Sequence, residues 1–204
     1  MSNFKEVLCN AIGRLHIPQE LSELKGKKLL HVSDTPVCFY SGLRRLINIL
    51  KPDYIIHTGD MADNIKLELY PTSICEYEKW IKRLAAMLEA SGAEVVLAMG
   101  NHDDFDIAGK YFKSSRILKE AETIKVEDMS FRISHKPEGI LEDPAQYNLF
   151  GHDLTLKSGC IDNKLYYNGI SNINIIELDS GECTTLSYPS GTDDARLGRR
   201  KIGL

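Results

Sequence analysis

Several apolar runs in this chain stop on a residue able to bind a cation or move a proton. LLHVS is followed by Asp34, YIIHTG by Asp60, VVLAMG by Asn101 and His102, FRIS by His135, and YNLFG by His152. In a parallel sheet the loops at the carboxyl ends of strands converge on one rim, so residues distant in the chain can meet there. Two carboxylates, an amide oxygen and three imidazoles form a hard-to-borderline donor set. It suits Mn, Fe or Zn and contains nothing thiolate-like. Taken singly, each residue has a plainer use. An Asp or Asn after a strand ordinarily caps a helix or closes an Asx turn, and a lone His is ordinarily packed or solvated. Their recurrence at successive strand ends points to metal-assisted chemistry.

The elements that must carry these residues are legible in the hydrophobic pattern. Residues 4–15 read as a short amphipathic helix with Phe4, Val7, Leu8, Ala11 and Ile12 on one face, ended by Pro18. Residues 28–33 read as a buried strand. Ser41 is placed to cap a helix with Leu43, Leu46, Ile47 and Leu50 at helical spacing, and Pro52 terminates it. Residues 53–58 give a second strand. Ser73 and Glu76 form a capping-box pattern that opens a helix carrying Tyr77, Ile81, Leu84, Ala85 and Leu88, closed by Gly92. Residues 94–99 give a third strand, and 104–122 read as a helix over the cleft. The βαβαβ series predicts a parallel sheet covered by helices. Beyond residue 122, short alternating segments separated by turn residues read as mostly antiparallel strands. The expected fold class is α/β, two sheets packed as a sandwich and flanked by helices. It forms a single domain over 1–204, with a helical extension at 1–26 and a flexible tail at 190–204.

The ordered motifs resemble the calcineurin-like metallophosphoesterase family, whose pattern is D-x-H, G-D-x-x-D/N, G-N-H-D/E, a lone His and G-H-x-H. This chain has Asp34-Thr35-Pro36, Gly59-Asp60-Met61-Ala62-Asp63, Gly100-Asn101-His102-Asp103, His135, and Gly151-His152-Asp153-Leu154. The match spans about residues 29–154, and the trailing strands fit the family's second sheet. The resemblance implies two cations about 3.5–4 Å apart sharing Asp60, with Asn101, His135 and His152 completing one site and Asp34 serving the other. His102 would protonate or stabilise the leaving group, with Asp103 orienting its ring. Two histidines of the Asp34 site are replaced, by Pro36 and Leu154, and neither replacement has a lone pair to offer. One well-bound divalent ion (Mn, Fe, Zn or Mg) is therefore expected, with the second weak or absent. Asp34 would then be released to act as base or hydrogen-bond acceptor for the attacking water.

The function this implies is hydrolysis of a phosphomonoester or phosphodiester by metal-activated water, with a phosphate-ester small molecule as substrate and an activity that the two replaced histidines would reduce. The alternative is a degenerate member serving as a binding scaffold, for which the family offers the retromer subunit as precedent. A nuclease is a third reading. The net charge of −4 and the lack of a basic groove oppose nucleic-acid binding. The one basic cluster, Arg196 to Lys201, reads as a solvated tail. His31 and His57, inside strands, read as packed; Asp63 braces its loop; Asp153 points away from the cations by strand alternation. Tyr147, Tyr166 and Tyr167 read as core or sheet-face residues. Five dispersed cysteines without a C-x-x-C pair suit a reducing compartment. No signal-peptide pattern or membrane-length apolar run is present, so the expected location is cytoplasmic.

Overall fold

The computed structural model describes residues 2–197. Continuous apolar strands need cover on both faces, and this requirement organises the molecule. The first sheet runs β11-β10-β1-β2-β3-β4, built from β1 (Lys28–Val32), β2 (Tyr54–His57), β3 (Glu94–Ala98), β4 (Arg116–Leu118), β10 (Ile173–Glu177) and β11 (Cys183–Leu186). β1 to β4 are parallel, whereas β10 and β11 are antiparallel additions beside β1. The second sheet runs β5-β6-β7-β9-β8, from β5 (Glu122–Val126), β6 (Met129–Ile133), β7 (Tyr147–Phe150), β8 (Gly159–Ile161) and β9 (Lys164–Asn168).

Alternation along each central strand decides which core a side chain enters. Leu29, Ile56, Val96, Ala98 and Ile176 face the second sheet, where they meet Ile124, Phe131, Ile133 and Leu149. Leu30, Val32, Ile55, Val95, Leu97 and Ile175 face the helices α2 (Tyr40–Leu50) and α3 (Ile74–Glu89). Those helices return Leu43, Leu46, Ile47, Leu50, Tyr77, Ile81, Leu84, Ala85 and Leu88, all buried at the expected spacing. Each such burial contributes about 1.5–3 kcal/mol. Two layers of core hold the sandwich.

Several expectations are corrected. Neither Ser41 nor Ser73 caps its helix, because a 3₁₀ turn leads directly into each one. The residue before the helix is therefore not in the extended conformation that aims a cap oxygen at the first turn. Residues 104–122 divide into α4 (Phe105–Tyr111) and β4, a strand too short to show periodicity. The second half is mostly antiparallel as expected, in the pairs β5-β6, β8-β9, β10-β11 and β1-β10, but β6, β7 and β9 are parallel neighbours. The short helix α5 (Pro137–Leu141) lies in the crossover from β6 to β7. The trailing strands β10 and β11 join the first sheet rather than the second.

At the amino end, α1 (Ser2–Ala11) stops before residue 15, and Val7, Leu8 and Ile12 are exposed instead of packed. The Phe4 side chain lies outside the described residues. At the carboxyl end, Arg196 is buried within α6 (Thr192–Arg196) rather than solvated; residues 198–204 lie outside the described residues.

Candidate metal centre

The carboxyl ends of β1, β2, β3, β6 and β7 deliver the site. Asp34, Asp60 and His152 all adopt left-handed backbone, with φ of 49°, 53° and 69°. That conformation is uncommon for residues other than glycine. It turns each strand end sharply, so that the side chain faces the rim. Neighbouring loops lock the turns: Asp34 N–H donates to Gly59 O at 2.9 Å and Thr35 N–H to Asp60 O at 3.0 Å. Gly59 (φ 99°) and Gly100 permit the close approach. A Cβ on Gly59 would strike the His135 ring, and one on Gly100 would strike the Asp60 carboxylate.

His135 is the centre of the arrangement. Its Nδ1 donates to Thr58 O at 2.7 Å, which turns Nε2 inward. Around Nε2 stand Asn101 Oδ1 at 3.1 Å, His152 Nδ1 at 3.1 Å and Asp60 Oδ2 at 3.5 Å. Four atoms with lone pairs converge on one small volume, an arrangement that a cation or a proton must reconcile. Burial pulls the His135 pKa down, but the bond and charge of Asp60, the charge of Asp34 and Thr58 O outweigh it and lift the pKa to about 9. Burial pushes Asp60 up, yet His135 and the His102 N–H hold it below the usual carboxylate range. Mixed oxygen and nitrogen donors with a hydrogen-bonded outer ring nitrogen fit a divalent ion.

The second expected site does not form in this way. Pro36 starts the 3₁₀ turn Val37–Phe39, and Leu154 turns its side chain outward, 64% exposed. Asp34 is buried, and its Oδ2 already accepts the Ser33 hydroxyl at 2.5 Å and the His152 N–H at 3.1 Å. Burial pushes Asp34 upward, with His135 pulling against it and Asp60 adding to the rise. Asp153 bonds the N–H and hydroxyl of Thr155.

His102 lies beside this centre. Its backbone N–H donates to Asp60 Oδ1 at 2.9 Å, and its Nδ1 accepts the Glu68 N–H at 3.3 Å. Burial lowers its pKa, opposed by Asp60. The expectation that Asp103 orients the His102 ring is corrected. The Asp103 carboxylate accepts the N–H groups of Asp60 (2.7 Å), Met61 (2.9 Å) and Gly100 (2.9 Å) and the Tyr77 hydroxyl (3.0 Å). The carboxylate beside the ring is Glu68, its Oε2 3.8 Å from His102 Nδ1, while the ligand atom of Asp63 lies within 4.8 Å of those of Asp60 and His102.

Sequence reasoning missed Lys66, Glu68 and the role of Arg196. Glu68 accepts the Asn101 amide at 2.6 Å, which turns Asn101 Oδ1 toward His135. Arg196 donates to Asp34 O at 2.7 Å, Ser33 O at 3.2 Å and Ile170 O at 2.8 Å while its guanidinium stacks on Tyr188. No motif marks Lys66 or Glu68; the one signal for Arg196 was charge, and charge was read as solvation. His31 and His57 are buried beneath the rim, where Thr58 and Thr35 meet their Nε2 atoms. Tyr147 and Tyr166 pack in the core.

The sequence profile of the calcineurin-like phosphoesterase family matches residues 27–194. The chain belongs to this family. Two mixed sheets flanked by helices are the phosphoesterase fold, and the family binds divalent metals, for which the Asp and His clusters here offer ligands. An archaeal phosphodiesterase is 16% identical, with a TM-score of 0.55 over 78% of this chain and 99% of that chain. Yfce, a phosphoesterase from E. coli, is 13% identical over 79% and 98%, with a TM-score of 0.48. Vacuolar Protein Sorting 29 from Cryptosporidium parvum is 15% identical over 79% and 97%, with a TM-score of 0.47. At such identities the likeness is one of fold. No curated protein sequence matches this chain. Among the described residues, no helix is long and apolar enough to cross a membrane.

Proposed function

We propose that the protein hydrolyses a phosphate ester of a small molecule with one strongly held divalent cation. Asp60, Asn101, His135 and His152 would hold it. The observation that carries this reading is the meeting of Asn101 Oδ1, His152 Nδ1 and Asp60 Oδ2 within 3.5 Å of His135 Nε2. Mixed oxygen and nitrogen donors favour Mn, Fe or Zn over Mg. When bound, a divalent cation supplies Lewis acidity toward a phosphoryl oxygen and makes water more acidic.

The chain's own residues supply the rest. Asp34 has its Oδ2 taken by Ser33 and His152, so its Oδ1 is the atom offered to the attacking water. The loop bonds around Asp34 fix that oxygen in place, and positioning of this kind is the larger part of catalysis in phosphoryl transfer. His102 stands on the Asp60 side and donates to the leaving oxygen, with the Glu68 carboxylate 3.8 Å from its ring. The acidic balance of the chain, −4 overall, favours a small ester over nucleic acid.

The test combines elemental analysis with turnover of bis-p-nitrophenyl phosphate and p-nitrophenyl phosphate in Mn. One metal per chain and turnover lost in Asp60→Ala and His102→Ala are the expected results. Turnover equal to that of these variants would leave the scaffold reading in its place.

A further inference from the structure

Three aspartates stand buried at one rim: Asp34, Asp60 and Asp63, at 2%, 2% and 1% exposure. A single cation among Asp60, Asn101, His135 and His152 answers only part of that charge. On the other side Pro36 and Leu154 provide no donor atoms; a second group, Asp60, Asp63 and His102, has its ligand atoms within 4.8 Å of one another, but its Asp63 is already paired with a lysine. Buried carboxylates of this kind take up a proton or sit beside a compensating positive group.

Lys66 is placed to provide one. Its Nζ lies 2.5 Å from Asp63 Oδ1, with the lysine side chain only 24% exposed. The other lysines in ion pairs, Lys27 and Lys110, are surface groups at 52% and 61%. Lys66 also holds left-handed backbone, φ 52°, directly after the 3₁₀ turn Asp63–Ile65. Both Leu69 and Tyr70 donate their N–H groups to its carbonyl at 2.9 Å. This conformation is unfavourable for a residue with a Cβ, and the turn brings the lysine stem back to Asp63. The ligand atom of Asp63 lies within 4.8 Å of those of Asp60 and His102, so the ammonium sits one hydrogen bond from a carboxylate at the edge of the centre. An ammonium has three donors. Asp63 takes one, and the others are available to phosphoryl oxygens.

We propose that Lys66 contributes, from the polypeptide itself, the positive charge that a second cation would bring to the phosphoryl group. The site is then a one-metal, one-lysine centre. The proposal rests on the phosphoesterase reading, but its test separates the two.

The experiment measures metal content, orthophosphate affinity by calorimetry on Mn-loaded protein, and melting temperature, for wild type, Lys66→Met and Lys66→Arg. One metal per chain is expected in all three. Orthophosphate binding weakens about tenfold or more in Lys66→Met, as for loss of a hydrogen bond to a charged group, and stays near wild type in Lys66→Arg. Two metals per wild-type chain would overturn the proposal. So would a Lys66→Met protein that melts lower yet binds orthophosphate unchanged, since Lys66 would then only neutralise Asp63. A chain that takes up no metal defeats the phosphoesterase reading instead, and orthophosphate affinity still reports on Lys66.

Discussion

Asp103 accepts hydrogen bonds from the N–H groups of Asp60, Met61 and Gly100 and from the Tyr77 hydroxyl. Asp60 and Gly100 belong to loops that carry metal-centre residues, so one buried carboxylate ties the end of β2 to the end of β3. The sequence motif places Asp103 beside His102, but adjacency in the chain does not bring the two side chains together. Asp103→Asn keeps the size and turns an NH₂ toward donors that need an acceptor. It is expected to cost about 2–4 kcal/mol, as buried donors are left unpaired, and to lower metal retention. Urea unfolding with a metal count checks this. A residue that merely tuned His102 would reduce turnover at unchanged midpoint.

Helix α6 reaches the candidate metal centre from the far end of the chain. Arg196 bonds the carbonyls of Ser33, Asp34 and Ile170 and lies against Tyr188; it thereby braces the left-handed turn at Asp34. Arg196→Met retains much of the stem's packing but orphans buried carbonyls, at roughly 1–3 kcal/mol each. The expected result is a lower melting temperature together with weaker turnover through the displaced Asp34. Lost stability with unaltered turnover would mean that the brace does not reach the site. Elements such as α2, α3 and β1 to β3 were legible because their apolar residues repeat at helical spacing or run unbroken. The candidate site was legible where a strand end carries a possible ligand, as at Asp60, Asn101, His135 and His152. The contribution of Arg196 was not, because a basic run near a terminus has the composition of a solvated tail and only the fold supplies its acceptors. Lys66 was hidden for a similar reason. Its position depends on a left-handed turn that no residue type in the segment 63–66 announces.

Over the whole molecule, buried titrating groups set the response to pH. His135, raised to about 9 from an ordinary 6.5, gives metal-free protein stability that is complete below pH 6.5 and lost as pH rises through 9. The slope is about 1.4 kcal/mol per pH unit. Below 6.5, His31 and His57, lowered to about 3 chiefly by burial, favour loss of stability as pH falls. Asp63 and Asp103, raised by burial to about 7 and about 6, act in the opposite sense over much of that range. Metal-free protein is therefore expected to weaken more from pH 7 to 9 than from 7 to 5, and bound Mn to remove the alkaline loss by displacing the proton. Thermal melts across pH with and without Mn check this; metal-free stability that is flat or rising between pH 7 and 9 contradicts it. The sheet order carries another consequence, for synthesis. β1 is flanked by β2 on one side and by β10, at Ile173–Glu177, on the other. A ribosome adding 5–20 residues per second leaves one edge of β1 open for on the order of ten seconds. Through that interval a nascent Leu29–Val32 segment is exposed to edge-to-edge pairing with other chains, so translation speed and chaperone supply should govern how much of this protein reaches its folded form.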